Sequence, residues 1–260
     1  MKRLLFVWLT VALLLAGENA IAQTDAAREA RWRAEVEPGL VVGDAQTLTT
    51  PAGRNFFAIF TEGARQDVKD VAFVLAHGVG VHPDYGWIGR LRVLLADAGY
   101  ATLSIQMPVR PKETTDGSEY ASTFPDAAAR IASAHEWLRQ RGYAKVVLAS
   151  HSMGAWMANV YFQQTPDAPY AAWIAMGVTG RILPLKSNSL PVLDLYGEKD
   201  LPPNLGSAWL RRAHLMLLPQ SQQIMIANAD HHYTGAEKEA TKAIVEFVRS
   251  RFPVRKGEQK

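Results

Sequence analysis

The feature that most constrains this chain is a series of short apolar runs separated by amphipathic stretches of ten or more residues. Val71-Ala72-Phe73-Val74-Leu75-Ala76 contains no polar position. A strand with one wet face alternates polar and apolar residues, whereas an unbroken run suits a strand covered on both faces. Further strands are expected at 101–105, 146–149, 171–175, 192–196 and 223–226. Between them lie helical patterns. Residues 87–98 carry Ile88, Leu91, Leu94 and Leu95 on one face, and 125–141 carry Ala128, Ile131, Ala132, His135 and Leu138. Helices are also expected at 153–164, around 208–214, and at 237–251, where Ala240, Ile244, Phe247 and Val248 face inward. Gly99 and Gly142 close two of these helices. Such alternation builds βαβ units and a mostly parallel sheet with helices on both faces.

Upstream, Leu40-Val41-Val42 and Phe56-Phe57-Ala58-Ile59-Phe60 flank Thr, Pro, Gly and Asn. They are expected to form an antiparallel, hairpin-like pair, bringing the sheet to eight strands. The one long irregular connection, 107–122, contains Pro108 and Pro111 and is expected to line a site. Connections after Ala175 are short, so no large cap domain is expected.

Composition excludes several classes. The 260 residues are 48% hydrophobic and 20% charged, a globular balance. The formal net charge of +3 comes partly from the ends of the chain, with no internal basic stripe. Nucleic-acid binding has no electrostatic support. The chain has no cysteine, which fits an exported protein and excludes disulfides and thiolate metal sites.

Lys2 and Arg3 precede an apolar run over 4–16 and an Ala20-Ile21-Ala22 cleavage signal. This reads as a secretory signal peptide, residues 1–22, cut after Ala22. An uncleaved N-terminal anchor is the competing reading. The mature protein is then periplasmic or secreted, with no membrane span. Residues 23–38 form a polar leader, read as a short helix or a loose segment.

The chemistry concentrates where the strand at 146–149 runs into Ser150-His151-Ser152-Met153-Gly154 and then a helix. This string resembles the G-x-S-x-G nucleophile elbow of α/β-hydrolases. A sharp turn lifts one hydroxyl off the sheet, and small residues on both sides let strand and helix backbones approach. Gly154 supplies this on the helix side, and Ser150 stands in place of the first glycine. His151 occupies the variable position and is expected to be partly exposed near the site.

The resemblance implies an acid and then a base downstream of the serine. Asp200, in Gly197-Glu198-Lys199-Asp200, is the first choice for the acid, Glu198 the second, and Asp194, inside a strand, the third. His231, in Ala229-Asp230-His231-His232, is the first choice for the base, with His232 beside it. His77-Gly78-Val79-Gly80 resembles the His-Gly loop that gives an oxyanion donor in lipases and esterases, which implies Val79 and Met153 as backbone donors. Gly78 and Gly80 allow the close approach.

Together with His82-Pro83-Asp84 and Leu103-Ser104-Ile105-Gln106-Met107-Pro108, these strings are similar to a group of bacterial exported α/β-hydrolases of unassigned function. The resemblance covers most of the chain after the signal. It implies one α/β-hydrolase domain over 39–260: an α/β fold with a mostly parallel eight-stranded sheet and helices on both faces. The expected activity is serine hydrolysis of a carboxylic ester or thioester through an acyl-Ser152 intermediate. A lidless site favours small or exposed acyl groups. No cofactor or metal is expected, since His82, Asp84, Asp230, His231 and His232 lack zinc-site spacing. The alternative is a non-catalytic envelope protein that keeps the fold for binding.

Overall fold

The computed structural model describes residues 24–64, 68, 70–111, 114, 117–182, 185 and 189–253. The expected signal segment, 1–22, lies outside the described residues. Eight strands form one sheet in the order β1-β2-β4-β3-β5-β6-β7-β8. They are β1 (Asp44–Thr49), β2 (Asn55–Thr61), β3 (Val71–Ala76), β4 (Ala101–Ile105), β5 (Lys145–His151), β6 (Ala172–Met176), β7 (Val192–Lys199) and β8 (Gln222–Asp230). The β1–β2 and β2–β4 pairs are antiparallel and the others parallel. Among the described residues six α-helices accompany them: α1 (Ala26–Val36), α2 (Gly86–Asp97), α3 (Phe124–Arg139), α4 (Met153–Gln164), α5 (Pro202–Leu215) and α6 (Glu237–Arg251).

The unbroken run in β3 behaves as its composition demands. Ala72, Val74 and Ala76 point into one core with α3 and α4. Val71, Phe73 and Leu75 point into a second core with α2 and α6. Alternate side chains of a strand face opposite ways, so every position needs to be apolar when both faces are covered.

The chain lays β4 on one side of β3 and then returns across it to place β5 on the other. The loops after β3 and β5 therefore open a crevice at the C-terminal ends of the strands, the place where open α/β sheets bind ligands. Pairing of Ala76 with Ser150 sets these two loops side by side. Among the described residues no inserted domain separates β6 from β7, and no helix is long and apolar enough to cross a membrane.

Three expectations are corrected. Leu40-Val41-Val42 is not a strand: Val41 is exposed, and the hairpin partner of β2 is Asp44–Thr49. That edge strand is rich in Asp, Gln and Thr, so it lacks the apolar signature. Helix α5 starts at Pro202, six residues before the expected 208, because proline at the first helical positions needs no N–H acceptor. Finally, the 107–122 connection is not wholly irregular: a 3₁₀ segment spans Gly117–Thr123.

Within the 23–38 leader, Ala26–Val36 is helical, and α1 is docked by charge. Buried Glu29 pairs with Arg130 at 2.9 Å, and Arg130 also pairs with buried Asp126 at 2.9 Å. The Asp25 amide donates to the Val109 carbonyl at 2.8 Å.

Candidate active site

Ser152 follows β5 directly and has φ 54° and ψ −119°. A non-glycine residue at positive φ costs about 1–3 kcal/mol and persists only where its surroundings hold it. Here the Ser152 amide donates to the Met176 carbonyl at 2.9 Å, and its own carbonyl accepts from Ala155 and Trp156 as α4 begins. A Cβ on Gly154 would lie 2.4 Å from the His77 carbonyl oxygen and 2.7 Å from that of Ala76. Helix α4 can therefore start against the end of β3 only with glycine there. Ser150, which stands where the nucleophile-elbow pattern has its first glycine, is fully buried, and its hydroxyl accepts from the Trp173 indole at 2.8 Å.

The three residues chosen for nucleophile, base and acid meet. His231 Nε2 lies 3.1 Å from Ser152 Oγ, and His231 Nδ1 lies 2.7 Å from Asp200 Oδ1. A carboxylate only accepts, so Nδ1 carries the proton and Nε2 is free to accept from the serine hydroxyl. Asp200 is buried at the end of β7. Burial pushes its carboxyl up, but hydrogen bonds from His231, the Leu201 amide and Asn204 outweigh this, leaving its pKa below the ordinary value. The runners-up stand elsewhere. Glu198 is exposed and accepts from the Asn228 amide, and Asp194 is buried against Arg211 at 2.8 Å. His232 is exposed, its ring 5.1 Å from that of His231.

The loop after β8 is set by local polar turns. Asp230 Oδ1 accepts from the His232 and Thr234 amides, each at 2.9 Å. Tyr233, fully buried, donates its hydroxyl to the Leu195 carbonyl at 2.8 Å.

His151 departs from its expected exposure, for it is 5% exposed. Its Nε2 donates to the His231 carbonyl at 2.8 Å, tying the elbow to the base loop. Burial first, and then nearby His231, lower its pKa to about 3, so it is a neutral donor at pH 7.

On the other side of Ser152, a Cβ on Gly78 would stand 3.2 Å from Ser152 Cβ. The loop carrying Gly78, Val79 and Gly80 is therefore in contact with the elbow. His77 lies beneath it, buried, with its pKa lowered to about 3, chiefly by burial. The Met107 amide donates to Nε2 at 2.9 Å, so Nδ1 bears the proton and donates to the Gly78 carbonyl at 2.8 Å. That carbonyl and the Val79 N–H share one planar trans peptide. Fixing the first fixes the direction of the second. Met153 opens α4, and its N–H has no intrahelical acceptor.

Two site residues were missing from the sequence reading. Asn204, fully buried on α5, donates to Asp200 Oδ1 at 2.7 Å and to the Gly177 carbonyl at 3.2 Å, while its Oδ1 accepts from Thr179 at 2.8 Å. It carries no motif; only the Gly-x-x-Asp string and a helix starting at Pro202 could have placed it one turn from the acid. Arg28, in the leader, reaches over to donate to the carbonyls of Gly80 and Arg110, both at 3.0 Å. Among the described residues no group of three or more His, Asp or Glu gathers in a metal-holding arrangement.

No protein-family model matches the chain, and no curated protein sequence matches it. Solved structures do. An α/β serine hydrolase without a lid from Xanthomonas campestris superposes with a TM-score of 0.62 at 15% identity, over 82% of this chain and 97% of that one. Est1E from Butyrivibrio proteoclasticus gives 0.60 at 17% identity, over 81% and 99%. The Pyrococcus furiosus esterase Pf2001 gives 0.63 at 12% identity, over 80% and 91%. The chain has the α/β-hydrolase fold.

Proposed function

We propose that this protein is a serine hydrolase that cleaves a carboxylic ester or thioester through an acyl-Ser152 intermediate. The observation that carries the reading is the continuous chain Ser152 Oγ to His231 Nε2 at 3.1 Å and His231 Nδ1 to Asp200 at 2.7 Å, on a backbone strained at the serine. In the first step Ser152 Oγ attacks the acyl carbon while His231 takes its proton. Asp200 holds the imidazole in the Nδ1–H tautomer and stabilises the imidazolium that forms. The tetrahedral oxyanion is received by the Val79 and Met153 amides, each such donor contributing about 3 kcal/mol to transition-state stability. His231 then protonates the leaving oxygen or sulfur. Water, deprotonated by His231, attacks the acyl-enzyme, releases the acid and restores Ser152.

Esterase activity among proteins sharing the fold supports this class at the level of analogy. The absence of an inserted domain after β6 among the described residues supports an open site that favours short acyl chains. Export after cleavage at Ala22 completes the proposal. Mass spectrometry of the protein quenched during turnover of p-nitrophenyl acetate tests it. An added acetyl group on Ser152, with faster hydrolysis of acetate and butyrate than of long-chain esters, is the expected result. Hydrolysis with no acyl-enzyme, or one unaffected by Ser152→Ala, would overturn it.

A further inference from the structure

The outer face of α5 is unlike that of a solvated helix. On α6 the exposed positions are Lys238, Glu239, Lys242, Glu246, Arg249 and Ser250, all polar or charged. On α5 and its two flanks, Leu201, Leu205, Trp209, Leu210, Met216 and Leu217 stand in solvent, with Trp209 67%, Met216 81% and Leu217 75% exposed. Among the exposed residues of 201–217, Arg212 alone is charged. Positions 205, 209, 212 and 216 follow helical spacing, so the guanidinium stands in the middle of one apolar stripe. No Asp or Glu occurs between Asp200 and Asp230. Exposed apolar residues gathered at helical spacing on one element, rather than scattered singly, are the pattern of a binding surface.

A cleft of about 320 Å³ opens at the C-terminal end of this stripe. Arg212, Leu215, Met216, Gln222 and Ile224 are among its walls. Gln222 begins β8, whereas the catalytic cluster sits at the far ends of the strands. The eight steps along β8 from Gln222 to Asp230 separate the two by about 26 Å. The cleft is therefore a different place from the Ser152 site, and it combines a guanidinium with hydrocarbon walls.

The occupant follows from the charge. A second copy packed on this stripe would bury Arg212 against a face that offers no carboxylate between residues 201 and 229, an unpaired buried charge that costs stability. An anionic lipid surface meets both requirements at once. Its acyl boundary takes the Trp, Met and Leu side chains, and its phosphates take the arginine. We propose that the α5 face docks on an anionic bilayer, with Arg212 binding a lipid phosphate at the cleft and Trp209, Met216 and Leu217 entering the acyl boundary. Leu201 adjoins Asp200, so docking along α5 holds the acid side of the catalytic crevice at the rim of the membrane contact. The proposal does not depend on acylation of Ser152.

The chain has no cysteine, so Leu217→Cys gives a unique attachment point for an environment-sensitive fluorophore on the full chain. The label reads position 217 itself, so attachment of the chain through residues 4–16 does not mimic docking. With vesicles of phosphatidylethanolamine and phosphatidylglycerol, emission should rise and be quenched by spin-labelled lipid. Phosphatidylcholine vesicles should give little response. The same label at exposed Glu239→Cys on α6 should not respond. Adding Arg212→Glu should weaken the apparent affinity about tenfold or more, and adding Trp209→Ser should also weaken it. Circular dichroism confirms that the variants stay folded. Silence at 217, an equal response at 239, or equal binding to neutral vesicles would overturn the proposal. So would a rise that follows protein concentration without lipid, which would identify a second copy as the occupant.

Discussion

The two banks of the crevice around Ser152 are held by different physics. On the β3–β5 bank, position is set by what is missing. Gly154 lies so close to β3 that one methyl would overlap the His77 carbonyl, Gly78 touches Ser152, and Ser152 itself is forced to positive φ. On the β7–β8 bank, position is set by polar atoms that are present. Asp200 accepts from both Asn204 and His231, and Arg211 binds Asp194 and the carbonyls of Val178, Gly180 and Asn204. The contact of backbone on backbone fixes Ser152; a hydrogen-bond network fixes His231 and Asp200. His151 spans the two, part of the elbow by sequence and a clamp on the His231 carbonyl by contact. The first bank should therefore fail sterically, with loss of fold, and the second chemically, with fold retained.

Asp200→Asn is the sharpest break on the relay side. An amide in place of the carboxylate no longer enforces the Nδ1–H tautomer, so kcat should fall by about 10⁴ with the protein still folded. Steady-state hydrolysis of a short-chain ester and circular dichroism check both halves of the expectation. Retained kcat would show that another group orients His231.

Gly154→Ala is the corresponding break on the nucleophile side. Its Cβ meets backbone oxygens, which cannot rotate away as a side chain does. The expected loss is about 3 kcal/mol or more of stability, read from the urea midpoint. A shift below about 1 kcal/mol would mean that α4 slides away from β3 at little cost.

The β3–β5 bank carries two buried imidazoles, His77 and His151, with pKa lowered to about 3. Unfolded, each titrates near 6.5. The native state therefore binds fewer protons between these values, and stability is full above pH 6.5 and falls as pH drops below it. Two such groups should remove about 2–3 kcal/mol between pH 7.5 and pH 5.5. Urea titrations at the two pH values measure this, and His151→Asn should remove about half of the pH dependence. An unchanged midpoint would show that the imidazoles take up protons in the folded state.

The smallest effect is expected at Asn204. Asn204→Ala removes one donor from Asp200 and leaves the Thr179 hydroxyl without its acceptor, which should lower kcat about tenfold with KM little changed. A change in KM alone would place Asn204 in substrate binding instead.

The difference between the banks also governs how much could be read from sequence. Steric precision leaves small residues at fixed spacing around Ser152, and buried parallel strands leave apolar runs, so the sharp turn, the inner strands and the three residues that meet there, Ser152, Asp200 and His231, were legible. Hydrogen-bond networks leave no such trace. Asn204 matters because α5 begins at Pro202 and turns one side chain back on Asp200, and paired prolines read as a break rather than as a helix start. Arg28 acts through a helix whose docking rests on a buried ion pair with Arg130, more than a hundred positions away. The error at residues 40–42 has the same root. An edge strand needs few apolar residues, while an exposed apolar triplet next to it imitates a core strand.

Reactivity toward a fluorophosphonate probe measures directly whether Ser152 is an activated nucleophile. Wild-type protein should take up one probe, on Ser152, and uptake should slow sharply in Asp200→Asn. Ser152→Ala, folded by circular dichroism, should take up none. Folded wild-type protein that stays unlabelled, or labelling that survives Ser152→Ala, would contradict the account.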